Sequence, residues 1–122
     1  MSDQIALRGL RAFGYHGVLP EERREGQRFV IDAVLSVDTR AAAASDDLAD
    51  TVDYGGLAKQ LRAAVESDPV DLIETLAQRL ADLCLASERV LAVEITVHKP
   101  EAPTGVDIDD VTITINRDRA AR

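Results

Sequence analysis

An apolar residue occupies every second position from Phe29 to Val37, with mostly polar or smaller residues between. Successive side chains of a β-strand point to opposite faces, so this alternation predicts a strand over residues 28–39 with one buried face. The same period of two recurs at Leu91–Val97 and at Val111–Ile115, which predicts two further strands. The chain must therefore build a sheet that buries one of its faces.

Residues 4–13 begin with alternation at Ile5 and Leu7 and then change phase at Gly9, which predicts a first strand containing a β-bulge. Two later segments, 54–67 and 72–86, space their apolar residues three or four positions apart, so each is predicted to be a helix with one buried face. Asp53 and Asp71 precede these helices and can cap them.

The predicted order is strand, strand, helix, helix, strand, strand. This order favours an α+β fold in which an antiparallel four-stranded sheet has two helices on one face. With 122 residues and no linker-like segment, residues 1–122 are predicted to form a single domain. Such a sheet has two open edges, so pairing of edges between subunits is expected.

The chain has a formal net charge of −8, which repels phosphate backbones and anionic lipid surfaces. No apolar run is long enough to span a membrane and residues 1–17 lack a signal-peptide pattern, so we expect a cytoplasmic protein that binds neither nucleic acid nor membrane. Aromatic residues make up 3% of the chain, which predicts an aliphatic core. The single cysteine, Cys84, lies on the apolar stripe of the second helix and is predicted to be a core residue.

Lys99 is in phase with the apolar residues of the third predicted strand, so its ammonium leaves from the end of an apolar face. Such a lysine can transfer protons, or it can simply extend into solvent. Glu74 follows Asp71 by three positions, which is the spacing of a capping box, but it also flanks the apolar stripe and can face a pocket. Both interpretations remain open for each residue.

Tyr54 begins the first predicted helix, where its hydroxyl can meet either solvent or a ligand. Glu22 lies in a charged run between Pro20 and Gly26, a pair typical of a short helical turn. Such a run is usually solvated. His16, which lies between Gly14 and Gly17, is equally ambiguous.

Histidine 98 alternates away from Lys99, so His98 is predicted to lie on the opposite face of the sheet. Two histidines and one cysteine, far apart in sequence, are too few for a typical zinc site, so no metal is expected. The chain also lacks the nucleotide-loop, zincin and serine-hydrolase motifs.

Five segments together resemble bacterial dihydroneopterin aldolases and extend over nearly the whole chain. They are GYHGVLPEE (14–22), GQRF (26–29), SDDLADTVDY (45–54), LIETLA (72–77) and HKPEAP (98–103). The resemblance implies the tunnelling fold and the retro-aldol cleavage of 7,8-dihydroneopterin in folate synthesis, without metal or cofactor. It also implies subunits that join sheet to sheet into a barrel, commonly an octamer of two stacked rings, with active sites between subunits.

The resemblance further implies a role for individual residues. Glu74 would bind the amino-pyrimidinone edge of the pterin, and Lys99 would be the principal proton-transfer group. Tyr54 would reach in from the neighbouring subunit, and Glu22 would complete the polar end of the site. The remaining implied substrate contacts are Ile73, Val52 and Asp53, the last mainly through its backbone.

One segment departs from the family pattern, because Thr104-Gly105 stands where many relatives have Ile-Pro. Several alternative functions remain. A dihydroneopterin triphosphate epimerase or a non-catalytic pterin-binding oligomer would share the scaffold, and an aldolase can have 2′-epimerase side activity. Pyruvoyl-tetrahydropterin synthase and GTP cyclohydrolase use zinc, so the scarcity of histidine and cysteine disfavours them.

Overall fold

The structure is a computed structural model that describes residues 3–119. Its alternating apolar residues form an antiparallel sheet with the strand order β1-β2-β3-β4. Residues 1–2 and 120–122 of the predicted domain lie outside this range. The strands are β1 (Asp3–Gly14), β2 (Gln27–Val37), β3 (Ala92–His98) and β4 (Thr112–Asp118). The helices are α1 (Pro20–Glu25), α2 (Arg40–Ser45), α3 (Tyr54–Val65) and α4 (Ile73–Leu85), with a 3₁₀ turn at Leu48–Asp50. The predicted fold class is confirmed, and β1 and β4 are the edges of the sheet.

The core lies between the sheet and the two long helices. The inward residues of β2 are buried, and Phe29 and Leu35 have no exposed surface. Leu61 of α3 and Leu80 of α4 are equally buried, and burying a side chain of this size stabilises the fold by about 1.5–3 kcal/mol. Cys84 belongs to this core, as predicted, and burial raises the pKa of its thiol to about 12.

The predicted bulge in β1 is confirmed. The pairing of β1 with β2 shifts register between Leu7 and Leu10, and Gly9 has a φ of 71°. Glycine takes this left-handed conformation without the steric cost that a Cβ would add. The freed N–H of Gly9 donates to Asp32 Oδ1 at 2.8 Å.

Of the two predicted helix caps, one is confirmed and one is wrong. Asp53 Oδ1 accepts the Gly56 N–H at 3.1 Å and caps α3. Helix α4 begins only at Ile73, with Leu72 at the capping position and no side-chain cap. Asp71 therefore lies outside the helix, where it pairs with the guanidinium of Arg23 instead.

This late start also changes the interpretation of Glu74, which is the second residue of α4. The capping-box role is wrong, because the box partner stands at the third helical position. Within residues 3–119, no helix is both long and apolar enough to cross a membrane.

Candidate active site

A cavity of about 540 Å³ opens where the C-terminal end of β3 meets the loop before α1 and the start of α4. Glu22, Glu74 and Lys99 line this cavity, and Ile73 contributes apolar surface to its wall. Much of the remaining wall is apolar and comes from Val18, Leu19, Leu72, Pro103, Val111 and Ile113. The structure thus brings together four of the seven residues singled out from the sequence.

An ion pair forms the most buried part of this cavity. Lys99 Nζ lies 2.6 Å from Glu22 Oε2, and the two side chains are only 12% and 7% exposed. Lys99 is the first residue after β3, and its N–H donates to the Val111 carbonyl at 2.8 Å. The alternation of β3 therefore directs the lysine side chain towards the helix-covered face, as the sequence predicts, where it finds a carboxylate rather than solvent.

Glu22 has two further hydrogen-bond donors. Gln27 Nε2 donates to Glu22 Oε2 at 2.9 Å, and the Leu19 N–H donates to Glu22 Oε1 at 3.2 Å. Burial alone would raise the pKa of the Glu22 carboxyl, but the hydrogen bonds from Lys99, Gln27 and Leu19 outweigh it, so that pKa lies below its ordinary value of 4.5. Glu22 is therefore a carboxylate at neutral pH, paired with a cation beside the cavity.

The expectation of a solvated charged turn is wrong for Glu22, although its neighbours Glu21 and Glu25 are exposed. The predicted short helix between Pro20 and Gly26 does form, and it turns Glu22 inwards. Gly17 leaves room for that side chain. A Cβ at Gly17 would lie 2.3 Å from the Glu22 carboxylate, so any larger residue would displace it.

Glu74 lies on the wall of the cavity at the N-terminal turn of α4. The free N–H groups and the dipole of a helix start favour a carboxylate there. A carboxylate also accepts two parallel N–H bonds from a planar partner. The cavity therefore has an exposed carboxylate on one wall and a buried carboxylate–ammonium pair on another.

The segment Val52-Asp53-Tyr54 lies elsewhere in the subunit. Val52 is buried, Asp53 caps α3, and Tyr54 is 59% exposed. Val52 and Asp53 line a different cavity of about 350 Å³, next to Gly56 and Leu57. Within one subunit, these three predicted site residues do not reach the cavity that holds Lys99.

The departure at Thr104-Gly105 forms a tight turn beside the cavity. Thr104 Oγ1 donates to the Val106 carbonyl at 3.0 Å, and Gly105 has a φ of 81°. Thr104 lines the cavity at the position where the resemblance implies an isoleucine. This part of the wall is therefore more polar than the family pattern implies.

Gln27 is a site residue to which the sequence interpretation gave no role. Its side chain is buried, with 7% exposure, and it donates to Glu22. The sequence does contain a signal for this role. Gln27 is in phase with Phe29 and Ile31, so it is a polar residue on the core face of β2. Such a residue needs a buried partner.

The histidine between two glycines has a structural role. His16 is fully buried, its Nε2–H donates to the Val65 carbonyl at 2.6 Å, and its Nδ1 accepts the Val70 N–H at 3.1 Å. Burial lowers the pKa of His16, so the ring is neutral. It fastens the loop after β1 to the segment between α3 and α4.

Comparison with known proteins agrees with this fold. The family model of dihydroneopterin aldolase matches residues 5–116. A dihydroneopterin aldolase of Streptomyces coelicolor is 58% identical over 117 residues, which cover 96% of this chain and 98% of that protein.

Two solved structures extend the comparison. The E. coli dihydroneopterin aldolase in complex with neopterin matches with a TM-score of 0.86 and 31% identity, covering 94% of this chain and 98% of that one. A dihydroneopterin aldolase from Burkholderia thailendensis bound to guanine matches with a TM-score of 0.78 and 26% identity, over 97% and 92% of the two chains. Because sequence and fold both match over nearly the whole length, this chain belongs to the dihydroneopterin aldolase family.

Proposed function

We propose that this chain cleaves 7,8-dihydroneopterin by a retro-aldol reaction, giving 6-hydroxymethyl-7,8-dihydropterin and glycolaldehyde. The observation that carries the proposal is the buried Lys99–Glu22 pair, with Nζ and Oε2 2.6 Å apart, inside the same cavity as Glu74. Family membership supports the reaction, and the cavity supplies the groups that the reaction needs.

Glu74 binds the pterin ring. Neopterin and guanine, which the two related structures contain, share an amino-pyrimidinone edge with two adjacent N–H groups. The Glu74 carboxylate accepts both, as a carboxylate does from a guanidinium. Ile73 precedes it on the cavity wall and offers apolar surface to the ring.

Lys99 moves the protons. In the cleavage, the Lys99 ammonium gives a proton to N5 and the resulting amine accepts the proton of the 2′-hydroxyl, while the C1′–C2′ bond breaks and its electron pair forms a C1′=C6 double bond. Glycolaldehyde leaves, and the resulting enamine gains a proton at C1′ and loses the proton on N5, which restores the C6=N5 imine in the hydroxymethyl product. The pterin itself accepts the electrons, so no lysine Schiff base is needed, and Lys99 acts only as acid and base, directly or through one water.

Glu22 keeps the lysine ready for both transfers. Its carboxylate holds Nζ in one place, and its own position is fixed by Gln27 and by the Leu19 N–H. Fixed placement of a reacting group lowers the entropic part of a barrier.

Tyr54 completes the site from a neighbouring subunit. It is exposed at the start of α3 and far from the Lys99 cavity, and Val52 and Asp53 are next to it. Edge strands β1 and β4 each have one unpaired side, so copies of the chain can join sheet to sheet. We infer a ring of subunits, stacked as an octamer, in which the Val52-Asp53-Tyr54 segment of one subunit closes the cavity of the next.

Incubating the purified chain with 7,8-dihydroneopterin tests the function. We expect equal amounts of glycolaldehyde and 6-hydroxymethyl-7,8-dihydropterin. Formation of the 2′-epimer without glycolaldehyde would instead assign an epimerase, and tight binding of the pterin without conversion would assign a binding protein.

A further inference from the structure

A second group of titratable side chains lies on the face of the sheet opposite the cavity. His98 Nε2 is 2.7 Å from Asp32 Oδ2, and His98 Nδ1 is 2.8 Å from Asp110 Oδ2. Their side chains are 24–32% exposed. Each ring nitrogen faces a carboxylate oxygen, so both hydrogen bonds form only when both nitrogens bear a proton. We call this group, Asp32, His98 and Asp110, the histidine clamp.

The histidine clamp links β2 and β3 to the bulge of β1 and to the segment that leads into β4. Asp32 lies on β2 and also accepts the N–H of Gly9 in the bulge of β1, at 2.8 Å. His98 is the last residue of β3, and Asp110 stands just before β4. The end of β3 is thereby tied to its neighbours on both sides.

The backbone of Lys99 is bonded to the same segment before β4, while its side chain lies on the other face of the sheet. Its N–H donates to the carbonyl of Val111, the residue after Asp110. His98 and Lys99, at the end of β3, are thus hydrogen-bonded to Asp110 and Val111, just before β4. The side chain of His98 makes its bond on one face of the sheet, and the side chain of Lys99 enters the cavity on the other.

On the basis of the proposed function, we propose that His98 is a positioning residue for Lys99, holding the end of β3 against Asp32 and Asp110 so that the ammonium stays in contact with Glu22. Lys99 lies one residue beyond β3, where the bond from its N–H to the Val111 carbonyl continues the ladder, and the clamp adds a side-chain restraint at the preceding residue. A displacement of about 1 Å at a reacting group can cost about 10²-fold in rate.

Protonation of His98 completes the clamp, and the two carboxylates favour it. The hydrogen bond to Asp110 raises the pKa of His98, burial opposes this, and the bond to Asp32 raises it further, so the pKa lies above its ordinary value of 6.5. Arg8 of β1 contributes to the charge around Asp32. When His98 loses a proton, one of its two hydrogen bonds is lost.

Replacing His98 with glutamine tests the inference, with Thr96→Val as the matched control. Thr96 lies on the same face of β3 and bonds Thr114 across the strands with 2.9 Å between the hydroxyl oxygens. Because Thr96 also pairs with Asp32 in the sheet register, this control shows whether a change beside the clamp that leaves its three side chains intact has any effect. We expect H98Q to lower kcat about tenfold or more while the Kd for 6-hydroxymethyl-7,8-dihydropterin stays within about twofold. T96V should change neither.

A second readout does not depend on catalysis. If H98Q moves the ammonium away, the pKa of the Glu22 carboxyl, followed by NMR, should rise towards its ordinary value of 4.5. D110N, which removes one carboxylate charge and keeps the shape of the side chain, should shift it in the same direction. An unchanged Glu22 pKa in folded H98Q or D110N, or full kcat in either variant, would overturn the inference. A wild-type chain that shows no cleavage, but whose Glu22 pKa responds to H98Q, would overturn the proposed function alone.

Discussion

Replacing Lys99 with methionine removes the ammonium and keeps most of the side-chain volume. Removing one partner of a buried ion pair costs about 3–5 kcal/mol of unfolding free energy, and we expect the lower end here, about 3 kcal/mol. The reason is that Gln27 and the Leu19 N–H still donate to the Glu22 carboxylate. Positioned acid–base groups contribute about 10²–10⁴ to a rate, so kcat should fall at least about 10².

Glycolaldehyde release measures kcat, urea unfolding measures stability, and fluorescence titration measures product binding, which should stay near the wild-type value. Lys59→Met is the matched control, because Lys59 is the chain's other lysine and is exposed on α3. The double variant K99M/E22Q removes both charges and should be more stable than K99M alone. A K99M protein that keeps more than about a tenth of the wild-type kcat would refute the reasoning.

Three further predictions follow from the same site. Glu74→Gln should weaken binding of the product pterin by about 1.5–3 kcal/mol in a calorimetric titration, and an unchanged Kd would remove Glu74 from the site. Co-assembling Tyr54→Phe with Lys99→Ala subunits should restore activity at about a quarter of the sites, and mixtures no more active than the average of their parents would exclude a shared site. Because the folded-state pKa of Glu22 lies below 4.5, the stability contributed by its ionisation should be complete above about pH 4.5 and lost as the pH falls through the folded-state pKa. Acid unfolding of Glu22→Gln beside wild type measures this, and identical pH dependence would contradict it.

Local periodicity was sufficient to predict the four strands and the two long helices of this fold. The alternation from Phe29 to Val37 and the phase change at Gly9 depend only on neighbouring residues, and both features appear in the structure as β2 and the bulge in β1. The start of α4 was harder to predict from the sequence. Asp71 has the chemistry of a cap, but its carboxylate pairs with Arg23, distant in sequence, and the helix begins two residues later.

The site was predictable where a residue breaks a pattern. Lys99 continues the apolar face of β3 with a charged side chain, and the structure places that side chain in the wall of the cavity. The burial of Glu22 was not predictable from its charged surroundings, because it depends on Lys99 and Gln27 arriving from two different strands. The histidine clamp likewise joins residues that only the sheet register brings together.

The structure of a complex with 6-hydroxymethyl-7,8-dihydropterin tests the central claim most directly. The account predicts the pterin in the cavity beside Ile73, with its amino and ring N–H groups about 3 Å from the two Glu74 oxygens. It also predicts the hydroxymethyl group within direct or one-water reach of Lys99 Nζ, and Tyr54 contributed by a second subunit. A pterin bound outside this cavity, or bound with its N–H edge away from Glu74, would contradict the account.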